Sequence, residues 1–317
     1  MKHRYTIKQN FFYYLSRITN LIHPLVNIPR REMGISVMMR VKNEEKWIKA
    51  SLISLNNFAD EVVIVNNAST DSTKIQIEEV ADKLKYEVIY RENDNPDICV
   101  ISNFALSLTS YHWIFRWDGD FIAHTSGKNN IKYLRNYLLS LNPQNFYYIY
   151  PLTVSFSGDF FHIRNNHALH SEGYIHSYHP SIKYVFSGKF EVLKIPLFFK
   201  ILRLKKIYFF HIGTVKTLKR TIYRTYWMKW QRQRDFKKYP SLESFLKKNI
   251  FPKYDKNEII KQVIKEAEEK IQDSRKFTKK EFGDYPDLLK PLLKNSNLKI
   301  IYKDGKPYSR DDFIQRK

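Results

Sequence analysis

A chain of 317 residues, 43% of them hydrophobic, has length for one α/β domain and an appendage around a sizeable core. Its single cysteine, Cys99, excludes an intrachain disulfide and a Cys-His metal cluster, suits a reducing compartment and reads as a small buried apolar residue. Lys and Arg outnumber Asp and Glu by 54 to 32, and the formal charge of +22 at pH 7 points to anionic partners.

In chain order, residues 1–33 form a basic segment whose apolar cluster, Phe11–Leu15, is interrupted by polar residues and does not read as a secretory signal. Ile35 to Val41 is an apolar strand ending in the polar segment Arg40-Val-Lys-Asn-Glu-Glu45, and a helical pattern follows through Trp47, Ile48, Leu52 and Leu55. Glu61 to Val65 is a short continuous apolar run, as expected of a strand buried on both faces. It runs into Asn66-Asn-Ala-Ser-Thr-Asp-Ser-Thr73, a turn and helix start, and then a helix through Ile75, Ile77 and Val80. A third strand, Tyr86 to Tyr90, and a helix around Ile101 to Leu108 lead into Trp113–Trp117, a strand that delivers Asp118 and Asp120 at its end. Strands alternating with helices imply an α/β fold with a mostly parallel central sheet flanked by helices. Its ligand belongs beyond the C-terminal strand ends, where three polar clusters, 40–45, 66–71 and 118–120, all fall.

Carboxylates two residues apart on a strand share a face, and Gly119 is expected to let the chain turn between them. Two convergent carboxylates make a hard-oxygen site for Mn²⁺ or Mg²⁺, although Asp-Gly-Asp is also ordinary turn chemistry. Only nine glycines occur, and no Gly-x-Gly-x-x-Gly follows a strand, so a dinucleotide fold has no fingerprint.

The order Arg40–Glu45, Val65-Asn-Asn-Ala-Ser-Thr-Asp-Ser-Thr73 and Asp118-Gly-Asp120, together with Phe58–Val65, resembles glycosyltransferase family 2, nucleotide-sugar enzymes with the GT-A fold. The resemblance implies a GT-A catalytic domain over residues 34–215, followed by a basic helical extension over 216–317. It implies metal-dependent transfer of a sugar from a nucleoside-diphosphate sugar, UDP by default, to a hydroxyl of a glycan or glycolipid acceptor, with inversion. The nucleotide would then be met by Arg40, Asn43, Glu45, Asn66, Asn67, Asn103 and Asp118. Asn66 and Asn67 stand where the family carries an acidic pair, and Ala68 and Ser72 replace frequent glycines, which suggests helical or β backbone angles there. The metal would sit on Asp118 and Asp120. His211, in Phe209-Phe-His-Ile-Gly213, is either a third ligand or a satisfied structural histidine. An inverting displacement needs a general base, for which Glu191 ranks first, then Glu172, with Asp159 also a candidate.

Between Lys200 and Lys248 fifteen Lys or Arg face two acids, a local excess of thirteen, interleaved with aromatic residues. Thr217 to Tyr239 is expected to form a basic amphipathic helix. It either packs its aromatic face on the domain, lies on an anionic membrane surface, or binds single-stranded nucleic acid, which ranks last. The longest apolar stretches, such as Ile195–Ile201 and Ile207–Ile212, fall short of the ~20 residues that span a bilayer. The expectation is a cytoplasmic protein, soluble or peripheral at the inner membrane face. A further helix is expected over Asn257 to Asp273, and Lys303-Asp-Gly-Lys306 marks a closing hairpin. Two other classes compete. A nucleotidyltransferase would show a Gly-rich loop near the first strand, which Arg40–Glu45 lacks, and a non-catalytic nucleic-acid-binding protein would leave the ordered motifs unexplained.

Overall fold

The computed structural model describes residues 31–164, 173–188, 190–213, 215–216, 218–272, 274–294, 300–303 and 306–309. Strands β1 (Ile35–Val41), β2 (Glu61–Asn66), β3 (Glu87–Glu92) and β4 (Trp113–Asp118) alternate with helices α1 (Ile48–Ser54), α2 (Thr73–Glu78) and α3 (Ile98–Ser107). After Asp120 come β5 (Phe121–Ala123), α4 (Lys132–Ser140), β6 (Tyr147–Ser155), β7 (His162–Arg164) and β8 (Tyr174–Ser177). A hairpin of β9 (Lys183–Phe186) and β10 (Glu191–Lys194) precedes the long strand β11 (Lys200–His211). The remainder is mostly helical, with α5 (Leu218–Gln233), α6 (Leu242–Asn249), α7 (Lys256–Gln272), α8 (Lys279–Phe282) and α9 (Lys290–Lys294). Strand β12 (Ser274–Lys276) and the expected hairpin, β13 (Ile300–Lys303) with β14 (Lys306–Ser309), complete it.

Eight strands form one sheet in the order β3-β2-β1-β4-β8-β6-β11-β5. Only β8 and β5 run against the others, so the sheet is mostly parallel, as expected. Alternation along the strands divides the core. Val37, Met39, Val62, Ile64, Phe115 and Trp117 pack into one face, and Met38, Val63, Val65 and Ile114 into the other. Both faces are covered, which is why β2 reads as a continuous apolar run. The hairpin β9–β10 stands outside the sheet, tied to α3 by Asn103. Its amide donates to the Tyr184 carbonyl (2.9 Å) and accepts from the Tyr184 N–H (2.8 Å).

The basic helix forms as α5, and its aromatic side is interior. Tyr226 packs with Ile259 and Val263 of α7, and Trp230 with Tyr239 and Phe245. The chain then returns to the sheet: β12 pairs with β7, and Phe282, Tyr285 and Leu289 join Phe156, Phe160 and Phe210 in a second core. Cys99 is buried, and burial pushes its thiol up to about 11, in keeping with an inert packing role.

The chain turns at Gly119 between β4 and β5, as expected, and without a left-handed conformation: a Cβ there would meet Glu44 Cγ and Val41 Cγ1 at 3.3 Å, so the glycine serves close approach of the β4–β5 turn to the loop after β1. One backbone expectation is corrected. Ala68, expected in a helical or β conformation, has φ +48. The turn is imposed by its neighbours: Asn66 Oδ1 accepts from the Ser69 N–H (3.1 Å), and the Lys42 ammonium donates to the Ala68 carbonyl (3.2 Å). A left-handed alanine costs about 1–2 kcal/mol. Ala68→Gly should therefore raise stability by roughly 0.5–1 kcal/mol after the added freedom of the unfolded chain is subtracted. Urea unfolding showing a loss instead would contradict this account of the turn.

Candidate active site

The end of β4 is held rigidly. Trp117 Nε1 donates to Ser51 Oγ of α1 (2.9 Å), and the Asp120 carbonyl accepts from the Ile212 N–H (2.9 Å) just after β11. Strand β5 follows at once and pairs Phe121 with His211, which brings the last residue of β11 against Asp120. Asp118, Asp120 and His211 consequently present ligand atoms that all lie within 4.8 Å of one another. His211 Nε2 is 3.3 Å from Asp120 Oδ1, and the Lys216 ammonium is 2.9 Å from Asp120 Oδ2. Lys216 also contacts Glu44 Oε1 at 2.9 Å, and Arg220 meets the same carboxylate at 3.2 Å. Asp118 is steadied by Arg116, two residues earlier on the same face of β4 (3.0 Å).

These contacts set the charge states. Burial alone would raise the Asp120 carboxyl, but Lys216 and His211, with Arg224 beyond them, outweigh it and hold Asp120 well below the usual carboxylate range. For Glu44 burial wins, so its carboxyl is raised despite Lys216 and Arg220, with Asp120 adding to the rise. Two carboxylates and an imidazole suit Mn²⁺ or Mg²⁺. Ligand atoms that lie within 4.8 Å of one another are compatible with such an ion, whose opposite ligands stand ~4 Å apart given bonds of about 2.1 Å. The residues present therefore fit a divalent cation.

The site opens into a cleft of about 670 Å³, a size that suits a small-molecule ligand. Among the residues expected to meet a nucleotide, Arg40, Asn67 and Asp118 line it. Asn66 sits one residue out of phase with Asn67 and donates to Tyr90 Oη instead (2.8 Å). Asn43 and Glu45 hold the loop after β2. Asn43 Oδ1 accepts from the Thr70 N–H (2.7 Å), and Glu45 Oε2 from the Ser72 hydroxyl (2.6 Å). Asn103 is occupied with Tyr184, as described.

Glu191 lies at the start of β10 in the cleft wall, paired with Arg40 at 2.9 Å. One oxygen of its carboxylate is buried without a hydrogen-bond partner among the described residues. Glu172 lies outside the described residues. Asp159 is engaged elsewhere, accepting from the Phe161 and His162 N–H groups (2.8 Å each) and pairing with the His162 imidazole.

Sequence reasoning passed over Glu44, Arg116, Lys216 and the inner stripe of α5. Arg220, Arg224, Trp227 and Gln231 follow i, i+4, i+7, i+11 spacing and all line the cleft. That stripe was visible in the sequence as a cationic and aromatic row at helical spacing. Lys216 had no comparable signal, because it lies in an irregular segment between β11 and α5.

The glycosyl transferase family 2 model matches residues 36–227. Abequosyltransferase RfbV of Salmonella typhimurium is 31% identical over 114 residues, covering 33% of this chain and 33% of that protein. This chain thus matches about a third of the length of that curated relative. The S. aureus TarS 1-349 structure is 16% identical, with a TM-score of 0.41, over 87% of this chain and 96% of its own. The same fragment in complex with UDP-GlcNAc is 24% identical over 40% of this chain and 36% of its own, with a TM-score of 0.33. The family match takes in the strand ends, Asp118, Asp120, His211 and the inner stripe of α5 as far as Trp227, which is well over half of the sequence. The chain belongs to glycosyl transferase family 2.

Proposed function

We propose that this glycosyltransferase moves a sugar from a nucleoside-diphosphate sugar, with UDP the default nucleotide, to a hydroxyl of a glycan or glycolipid, with inversion. The observation that carries the reading is the convergence of Asp118, Asp120 and His211 at the rim of a cleft that also holds Glu191. Asp118, Asp120 and His211 would hold Mn²⁺ or Mg²⁺, which supplies Lewis-acid neutralisation of the departing diphosphate. Lys216, Arg220 and Arg224 bring permanent positive charge to the same end of the cleft, where preorganised cations stabilise a developing phosphate charge without reorganising. Arg116 fixes the Asp118 carboxylate, and Asn67 lies where the nucleoside would enter beside β2.

Glu191 is the base of this scheme. Its carboxylate takes the proton of the acceptor hydroxyl as that oxygen attacks the anomeric carbon and the nucleoside diphosphate leaves. Arg40 holds one carboxylate oxygen, and the other is the buried oxygen without a partner among the described residues. A single base and a single displacement invert the anomeric centre.

Asp118→Asn and Asp120→Asn should each weaken Mn²⁺-dependent UDP binding at least about tenfold, read as loss of the ligand-induced thermal shift with the circular dichroism spectrum unchanged. Equal metal-dependent shifts in both variants would remove the metal-site assignment. Glu191→Gln should lower kcat by roughly 10²–10⁴ while leaving donor affinity near that of the parent, because the base acts on the acceptor in the transition state. Turnover at the parental rate would move the role to Glu172.

A further inference from the structure

The two carboxylates of the ligand set already meet cations of the protein. Asp118 Oδ1 accepts from Arg116 (3.0 Å), and Asp120 Oδ2 meets the Lys216 ammonium at 2.9 Å. The two cations differ in how they are held. Arg116 lies on the same strand as Asp118, whereas Lys216 comes from the segment between β11 and α5 and is anchored by a further carboxylate. Its Nζ donates to Glu44 Oε1 (2.9 Å) and Oε2 (3.2 Å), and Arg220 also meets Glu44 Oε1 (3.2 Å). An ammonium has three N–H donors, so Glu44 can hold Lys216 with two of them while the third reaches Asp120.

The side chains of Lys216, Glu44 and Asp120 are only 7, 12 and 6% exposed, so their charges act on one another through little water. A divalent ion on Asp118, Asp120 and His211 therefore meets a fixed positive charge on one of the carboxylates it needs. Arg116 and Lys216 between them balance both anionic ligands, and the ion's own charge is left without a counterpart in that set. A nucleoside-diphosphate sugar carries a negative charge on each phosphate, and so brings the missing balance. Glu44 is not a member of the ligand set, and it gives Lys216 a carboxylate to rest on when Asp120 turns to the ion.

We infer that Lys216 is an internal counter-cation, which holds the divalent-cation affinity of Asp118, Asp120 and His211 low until a diphosphate supplies the opposing charge. Glu44 sets how strongly Lys216 bears on Asp120. This rests on the glycosyl-transfer reading and its metal site, and names how the loading of that site is regulated. Lys216 is a positioning residue in this scheme, acting on the ion through Asp120. A purely structural tie predicts the opposite sign: losing Lys216 would loosen Asp120 and weaken the hold on the ion.

The test follows Mn²⁺ binding to the full chain, with and without UDP, by loss of the free-ion electron paramagnetic resonance signal. The part of the binding lost in Asp118→Asn belongs to the site. Lys216→Met should tighten Mn²⁺ binding in the absence of UDP by about tenfold or more, and Lys216→Arg, which keeps the charge, should stay near the parent. Glu44→Gln should weaken it. UDP should tighten Mn²⁺ binding in the parent, Mn²⁺ should tighten UDP binding by the same factor, and that factor should shrink in Lys216→Met. Should Lys216→Met fail to fold, the double variant Lys216→Met with Glu44→Gln removes both partners of the buried pair. It should bind Mn²⁺ about tenfold more tightly than Glu44→Gln alone. Unchanged or weaker binding on loss of Lys216, in protein with the parental circular dichroism spectrum, would overturn the inference. So would an effect abolished by high salt, because buried charges are little screened and diffuse surface charge is strongly screened. Absence of Mn²⁺ binding in every variant, with or without UDP, would instead sink the metal-site reading beneath it.

Discussion

One buried ammonium group gathers the strand ends around the cleft. Lys216 reaches Glu44 from the loop after β1 and Asp120 from the β4–β5 turn, and it arrives from the segment that introduces α5. Three chain segments far apart in sequence are thereby fixed to a single point. Removing one partner of such a buried ion cluster typically costs 3–5 kcal/mol, since the remaining charges stay desolvated. The tight approach at Gly119 follows from the same convergence, because the backbone of the turn must pass close to the side chain of Glu44.

The cluster also explains why the site can concentrate charge without falling apart. A bare pair of carboxylates at Glu44 and Asp120 would resist burial and share a proton. Lys216 between them lets Asp120 remain an anion, while Glu44 carries the residual penalty as a raised carboxyl. Arg116 and Arg40 repeat the arrangement on the neighbouring strands for Asp118 and Glu191. Each of these carboxylates is thus held by a cation of the protein, and its orientation is set by the fold itself.

Much of this was legible in the residues. The apolar runs marked the first four strands along the chain and a mostly parallel sheet, though not the order of strands within it, and the polar clusters at the strand ends marked the location of the cleft. Alternation could have gone further. Val65 and Asn67 share a face with Met38 and Ile114, and the cleft lies on that side, so Asn67 rather than Asn66 is the residue presented to it. Other features depend on contacts between distant segments. The left-handed turn at Ala68 is set by Lys42 and Asn66, and the crowding at Gly119 by Glu44. Lys216 belongs to no periodic element, so only the folded chain reveals that it meets two carboxylates. That the aromatic side of α5 packs inward was among the sequence readings, but the turning of its cationic row toward the cleft was not, since a helical stripe shows its partner only when the neighbouring surface is known.

The return of the chain to the sheet after α7 bears on how the protein is made. Phe277, Phe282, Tyr285 and Leu289 pack against Phe156, Phe160 and Phe210, so a core begun just after β6 is finished by residues more than a hundred positions later. During synthesis those aromatic residues must wait in a half-built state while α5, α6 and α7 emerge. Contacts of such long sequence separation form late, and apolar surface exposed meanwhile is prone to mispairing. Helix α5, which lines the cleft, is therefore enclosed within the chain's folding order together with α6 and α7, and the three do not form a module that could be exchanged without reopening the core.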